Sequence, residues 1–91
     1  MAKILIDKKA RKFLEKLEKR DRDRIEDKLR ELADGVNNGV IPPYLDVRKL
    51  KGKLEGYLRV RIGDFRIIFR LDVEKRLIIV VKISRRKRAY R

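Results

Sequence analysis

The 91-residue sequence contains no cysteine and no histidine. Without cysteine the chain forms no disulfide and offers no thiolate to zinc, which is compatible with a reducing compartment. Without histidine it lacks the usual general base and the commonest metal ligand at neutral pH. Any catalysis must therefore use Arg, Lys, Tyr, Asp or Glu side chains.

Long apolar runs are missing as well. The first ten residues hold only three consecutive apolar residues between charges, which is too short for a secretory signal, and no window approaches a membrane span. We therefore expect a cytoplasmic protein with no membrane contact. The length predicts a single domain over residues 1–91.

Positive charge dominates the composition. The 28 Lys and Arg outnumber the 14 Asp and Glu, which leaves a formal net charge of +14. A surface of this kind attracts polyanions and displaces their counterions on binding. The charge thus indicates nucleic acid or an acidic protein as partner.

The N-terminal half predicts one strand and two helices. Residues 2–6 are typical of a strand that ends at Asp7, a good N-cap for the first helix. Asp21 or Asp23 is positioned to cap the second helix, Gly35 to end it, and residues 35–45 to form a loop. The apolar residues at helical spacing are Ala10, Phe13, Leu14 and Leu17, then Ile25, Leu29, Leu32 and Ala33.

The C-terminal half predicts four strands, over residues 47–50, 56–62, 65–71 and 77–83. The first of these is weak, and the last is an apolar run typical of a strand covered on both faces. The order of elements predicts an α+β fold. We expect an antiparallel helical hairpin packed on one face of a mainly antiparallel sheet.

A two-residue turn at Gly63-Asp64 fixes the pairing of the two central strands. One side of this hairpin is then wholly apolar, and the other side carries Arg59, Arg61 and Arg66, with Arg61 directly opposite Arg66. Like charges so placed repel each other, but an anion bound between them makes the interaction favourable. The planar guanidinium group of arginine also matches the geometry of phosphate oxygens. The hairpin thus predicts a phosphate cradle. The alternative is that long arginine stems only shield the sheet while their heads stay in water.

The last seven residues, RRKRAYR, carry five positive charges and one aromatic ring. An aromatic side chain among basic residues suits the stacking of an unpaired base beside bound phosphates. We expect this tail to reach the same face as the hairpin arginines.

Three segments together resemble the RelE/ParE superfamily of bacterial and archaeal toxins, in particular archaeal-type RelE mRNA interferases that depend on the ribosome. They are Leu50-Lys51-Gly52, the Y-x-R-x-R-x-G-D-F-R strand from Tyr57 to Arg66, and the R-x-R-A-Y end from Arg86 to Tyr90. The resemblance covers nearly the whole chain. It implies a RelE-like α+β domain whose concave sheet face binds mRNA in the ribosomal A site, and cleavage by attack of the ribose 2′-hydroxyl on the adjacent phosphate. It also implies a RelB-like antitoxin as partner, and neither metal nor cofactor.

The resemblance assigns roles to single residues. Arg66 matches the arginine that contacts the scissile phosphate, Arg86 the arginine of phosphate or leaving-group chemistry, and Tyr90 the tyrosine that stacks on or orients the nucleotide. Arg59 and Arg61 occupy the neighbourhood of a basic pair that is lysine in the best-studied bacterial pattern. The predicted catalytic residues are Arg61, Arg66, Arg86 and Tyr90, and the predicted RNA-binding residues are Lys51, Lys53, Arg59, Arg85, Lys87 and Arg88.

The general base stays open. Arginine, with a pKa above about 12, is a poor proton acceptor, so neither Arg59 nor Arg61 fits that role. Lys51, Lys53, Tyr90 and groups of the ribosome are the candidates.

Two other functions are compatible with the sequence. One is a ParE-like toxin that poisons DNA gyrase, and the other is a non-enzymatic nucleic-acid-binding module whose affinity comes from charge alone. The charge, with an apolar surface expected along the helical hairpin, favours an acidic or amphipathic helical antitoxin segment. The alternative for the lysine-rich residues 8–20 is that water alone covers them.

Overall fold

Two helices pack on one face of a five-stranded sheet in the computed structural model, which describes residues 2–85. The elements are β1 Lys3–Ile6, α1 Lys8–Glu15, α2 Lys19–Asn37, β2 Arg48–Lys49, β3 Leu58–Ile62, β4 Phe65–Asp72 and β5 Leu77–Arg85. The strand order is β1-β5-β4-β3-β2, with β1 parallel to β5 and the other neighbours antiparallel. The predicted α+β class is confirmed.

Asp7 caps α1 as predicted, since its carboxylate accepts a hydrogen bond from a backbone amide of the first turn. The predicted cap of α2 was wrong. The N-cap residue is Glu18, whose side chain makes no capping hydrogen bond. Since the helix begins at Lys19, Asp21 lies inside the first turn. Because α1 ends at Glu15, only residues 16–18 link the two helices, and α2 begins before either predicted aspartate.

Gly35 does not end α2, contrary to the prediction, because the helix continues to Asn37. A Cβ atom at Gly35 would meet the carbonyl oxygen of Val40 and lie 2.8 Å from Cδ of Pro42. The glycine is therefore required by the close approach of the next segment. The residue in the left-handed region after the helix is Gly39, with φ of 78°. The predicted loop accordingly starts later, and it contains a short 3-10 helix, Pro43–Leu45.

The hairpin of β3 and β4 has the predicted register. Its core-side pairs are Leu58 with Phe69, Val60 with Ile67, and Ile62 with Phe65. This side packs against the helices, where the Phe13 ring meets the Phe65 ring edge-on with centroids 6.3 Å apart. The opposite side of the sheet, which we call the outer face, therefore carries the hairpin arginines.

A bulge interrupts β5. Ile68 pairs with Lys82, whereas Phe69 pairs with Val80, so Val81 is an extra residue in the ladder. The bulge shifts the alternation of the strand. The buried residues of β5 are Ile78, Val80 and Ile83. The prediction that both faces of this strand are covered was wrong, because Ile79 and Val81 are only half-buried.

The prediction of an exposed apolar surface along the helical hairpin was also wrong. The large apolar side chains exposed among residues 2–85 are Leu5, Val40, Tyr44, Leu54 and Val73, none of which belongs to α1 or α2. The helical apolar residues instead pack into or against the core. Neither helix of the described chain has the length and apolarity that crossing a membrane requires.

Candidate phosphate-binding site

Basic side chains form two rows on the outer face. Arg61 and Arg66 are direct partners across β3 and β4, as predicted. One step further along β3, a second row crosses four strands, from Arg48 through Arg59 and Ile68 to Lys82. We call the five basic residues of these rows the arginine face: Arg48, Arg59, Arg61, Arg66 and Lys82.

Arg59 is buried although it is charged. Only 8% of the residue is exposed, and its Nη1 atom has no hydrogen-bond partner among the described residues. The Nε atom of Arg66 is likewise buried without a partner there. Each such donor costs about 1–3 kcal/mol, and buried donors in native proteins are normally paired. The site thus holds two buried guanidinium donors that no group in residues 2–85 satisfies.

The electrostatics of the arginine face also favour anion binding. Burial lowers the pKa of Arg59, the charge of Arg61 lowers it further, and Arg48 and Arg66 add to the effect, while the carboxylate of Asp46 opposes it. Arginine nevertheless keeps its proton at neutral pH. The charges therefore repel one another in the free protein, and a bound anion would relieve that repulsion.

Arg48 is held in place by an acidic neighbour. Its Nε atom donates to the Asp46 carboxylate at 3.1 Å, and its side chain is 66% exposed. Asp46 follows the Pro43–Leu45 turn and has φ of 52° and ψ of 52°. The ion pair orients the guanidinium by its Nε and leaves the terminal nitrogens available.

Arg85 lies apart from the arginine face. It pairs with Phe65 across β4 and β5, and its Cζ atom lies 5.0 Å from the centroid of the Phe65 ring. Since Phe65 belongs to the core side, the structure places Arg85 on the helix side of the sheet.

Lys51 and Lys53 also lie away from the Arg61–Arg66 pair. The backbone joins Leu50 to Tyr57 by a 3.0 Å hydrogen bond, so Lys51 lies at the open end of the hairpin. It lines a groove of about 720 Å³ there. Tyr57 and Arg61 are separated by about 13 Å along the strand, at about 3.3 Å per residue. Lys53 lies in the neighbouring Gly52–Leu54 turn.

The predictions for Arg86, Lys87, Arg88 and Tyr90 concern residues outside the described part of the chain. Two members of the arginine face, Arg48 and Lys82, were missed by the sequence analysis. Alternation counted from Ile78 and Val80 puts Lys82 on the core side, and only the bulge moves it outward. Arg48 could have been found by pairing the weak strand with β3.

The arginine face can bind and neutralise a phosphate, but its arginines cannot accept a proton. Within residues 2–85, no cluster of three or more acidic side chains offers a metal site.

Comparisons with known proteins agree on one family. Residues 4–90 match the family described as the ParE toxin of the type II toxin-antitoxin system parDE. The curated RelE1 sequence of Methanocaldococcus jannaschii is 43% identical over 65 residues, which are 70% of this chain and 71% of that protein.

Solved structures share the fold. RelE in the archaeal RelE–RelB complex of Pyrococcus horikoshii OT3 superposes with a TM-score of 0.75 at 28% identity, over 97% of this chain and 98% of that one. The isolated RelE toxin of E. coli gives a TM-score of 0.73 at 20% identity, over 98% and 88% of the two chains, which shows a common fold alone.

Proposed function

The chain belongs to the RelE/ParE superfamily of type II toxins, and from this premise we propose that it is a ribosome-dependent endoribonuclease that cleaves mRNA. The observation that carries the proposal is the arginine face. Arg61 and Arg66 face each other across the ladder, and Arg59 and Arg66 each hold a buried nitrogen without a partner in the described residues. A phosphodiester suits this arrangement because its negative charge offsets the repulsion among the guanidinium groups.

The proposed reaction is attack of the ribose 2′-hydroxyl oxygen on the adjacent phosphorus, with cleavage of the bond to the 5′-oxygen of the next nucleotide. Charge builds on the phosphorane oxygens in the transition state, and the guanidinium groups of Arg61 and Arg66 would stabilise it and hold the in-line geometry. We further propose Arg86 for the phosphate or leaving group and Tyr90 for stacking on the base. The 2′-hydroxyl proton must leave to another group, for which Tyr90 and the ribosome stay candidates. Lys51 and Lys53 lie at the open end of the hairpin, away from Arg61 and Arg66.

We also propose a RelB-like antitoxin as partner. The net charge of +14 supports it, since an acidic segment would complement the basic surface. The Pyrococcus horikoshii relative was solved as a complex of RelE with RelB.

The matched family description favours a second candidate, a ParE-like toxin that poisons DNA gyrase. Such a toxin binds protein and has no need for a phosphate-binding arginine pair such as Arg61 and Arg66. The arginine face therefore supports the nuclease more strongly.

Expression in bacterial cells tests the proposal. The unchanged chain should arrest growth, and primer extension on cellular mRNA should show cuts within codons. Arg66→Ala and Arg86→Ala should restore growth, whereas Arg30→Ala, which removes an exposed arginine on α2, should not. Unchanged toxicity of both variants would contradict the nuclease. Growth arrest with DNA breaks and intact mRNA would favour the gyrase candidate.

A further inference from the structure

The arginine face contains two guanidinium pairs at successive steps along β3. Arg61 faces Arg66 on β4, and Arg59 faces Arg48 on β2. Residues two apart on a strand point to the same face and lie about 6.6 Å apart, and one strand spacing of about 4.8 Å separates the two pairs sideways, so their centres are about 8 Å apart. Consecutive phosphates along a single RNA strand have a comparable separation.

We propose that Arg48 and Arg59 bind the phosphate next to the one held by Arg61 and Arg66, so that the protein grips one RNA strand at two consecutive phosphates. This inference rests on the proposed function for the identity of the strand as RNA. It assigns a phosphate contact to Arg48, which sequence analysis did not single out, and a second contact to its cross-strand partner Arg59.

Arg48 combines an exposed ion pair with a second arginine as its cross-strand partner. Asp46 fixes the guanidinium through Nε, and the register partner of Arg48 is another arginine, which is buried. A fixed fork loses less conformational freedom when it binds phosphate. A contact made only for stability would not place two positive charges side by side, because opposed like charges destabilise a sheet.

Arg30 provides a matched control. It is an exposed arginine paired with an aspartate, Asp27, at 2.8 Å, and its side chain is 69% exposed, close to the 66% of Arg48. It belongs to α2, on the other side of the sheet. Arg48→Gln and Arg30→Gln therefore change the net charge equally and break equivalent ion pairs.

The experiment uses 2′-O-methyl oligonucleotides, which cannot be cleaved through the 2′-oxygen. A dinucleoside monophosphate offers one phosphodiester, and a trinucleoside diphosphate offers two. Dissociation constants are measured by NMR titration of the full chain between 50 mM and 300 mM salt. For the unchanged protein, the slope of log affinity against log salt should be steeper for the trinucleotide by about 0.7, the value for one further phosphate on a single strand.

Arg48→Gln should remove this extra slope and leave dinucleotide binding unchanged, and Arg30→Gln should preserve it. Arg59→Met serves as a second variant, with folding checked by circular dichroism, and should also remove the extra slope of the trinucleotide. Equal slopes for the two ligands, or an Arg48→Gln protein that behaves like Arg30→Gln, would overturn the proposal. Because neither ligand is cut, a protein that shows the extra slope but never cleaves mRNA would refute the nuclease and leave the two-phosphate site standing.

Discussion

Arg61 and Arg66 are direct cross-strand partners beside the Gly63-Asp64 turn. Two like charges at such a position destabilise the free protein. Arg61→Gln should therefore raise the free energy of unfolding by about 0.2–1 kcal/mol, while it weakens RNA cleavage. Urea denaturation of the ligand-free protein, together with the growth assay, measures both effects.

The control for this prediction is Arg30→Gln, which removes a positive charge of α2 and its pair with Asp27. It should leave stability within about 0.5 kcal/mol and leave toxicity intact. A loss of stability in Arg61→Gln would show that Arg61 has a favourable partner in the folded protein. Relief of repulsion between Arg61 and Arg66 could then not favour phosphate binding.

Sequence alone sufficed for the hairpin because a two-residue turn fixes register, and register fixes which face each side chain takes. It could not give the burial of Arg59, since that depends on what lies on either side of β3. The bulge at Val81 was also missed, although Lys82 marks it: unbroken alternation from Ile78 and Val80 would put that lysine on the core side. The role of Gly35 was misread for a similar reason: the close approach of Pro42 is a tertiary contact, whereas a terminal glycine is a local signal.

Gly35→Ala tests that contact. The new methyl group would lie 2.8 Å from Cδ of Pro42 and closer still to the Val40 carbonyl oxygen, and backbone on that side cannot yield cheaply. We expect a loss of about 1–3 kcal/mol in the free energy of unfolding, despite the better helix propensity of alanine. Thermal denaturation measures it, with the exposed neighbour variant Asp34→Ala as control. A stabilised Gly35→Ala protein would mean that the segment after α2 packs differently.

Arg85→Met tests the placement of Arg85 over the Phe65 ring. Loss of the cation–π contact at 5.0 Å should lower the free energy of unfolding by about 0.5–1 kcal/mol. Binding of the trinucleotide should change less than it does in Arg48→Gln, because Arg85 lies on the helix side of the sheet. If Arg85→Met weakens RNA binding as strongly as Arg48→Gln does, then the RNA-binding role predicted from the sequence is right and the strand end must reach the ligand.

Tyr44 and Glu31 predict a pH dependence of stability. The Tyr44 hydroxyl donates to the Glu31 carboxylate. This hydrogen bond is the main reason why the pKa of Glu31 falls below its ordinary value of 4.5, and the charge of Lys28 adds to it while desolvation opposes it. The same bond, followed by desolvation and the charge of Glu31, raises the pKa of Tyr44 above 10.0.

The directions of the two pKa shifts define the pH range in which the Tyr44–Glu31 hydrogen bond contributes stability. A depressed carboxylate pKa contributes stability above 4.5 that is lost as pH falls through the folded-state value, and a raised tyrosine pKa contributes stability below 10.0 that is lost as pH rises through its folded-state value. The difference in melting temperature between the unchanged protein and Tyr44→Phe should therefore be largest near pH 7 and shrink toward pH 3 and pH 11. Tyr57→Phe removes a hydroxyl elsewhere and controls for the general effect of pH. A difference that stays constant across this range would show that Tyr44 and Glu31 are not bonded in solution.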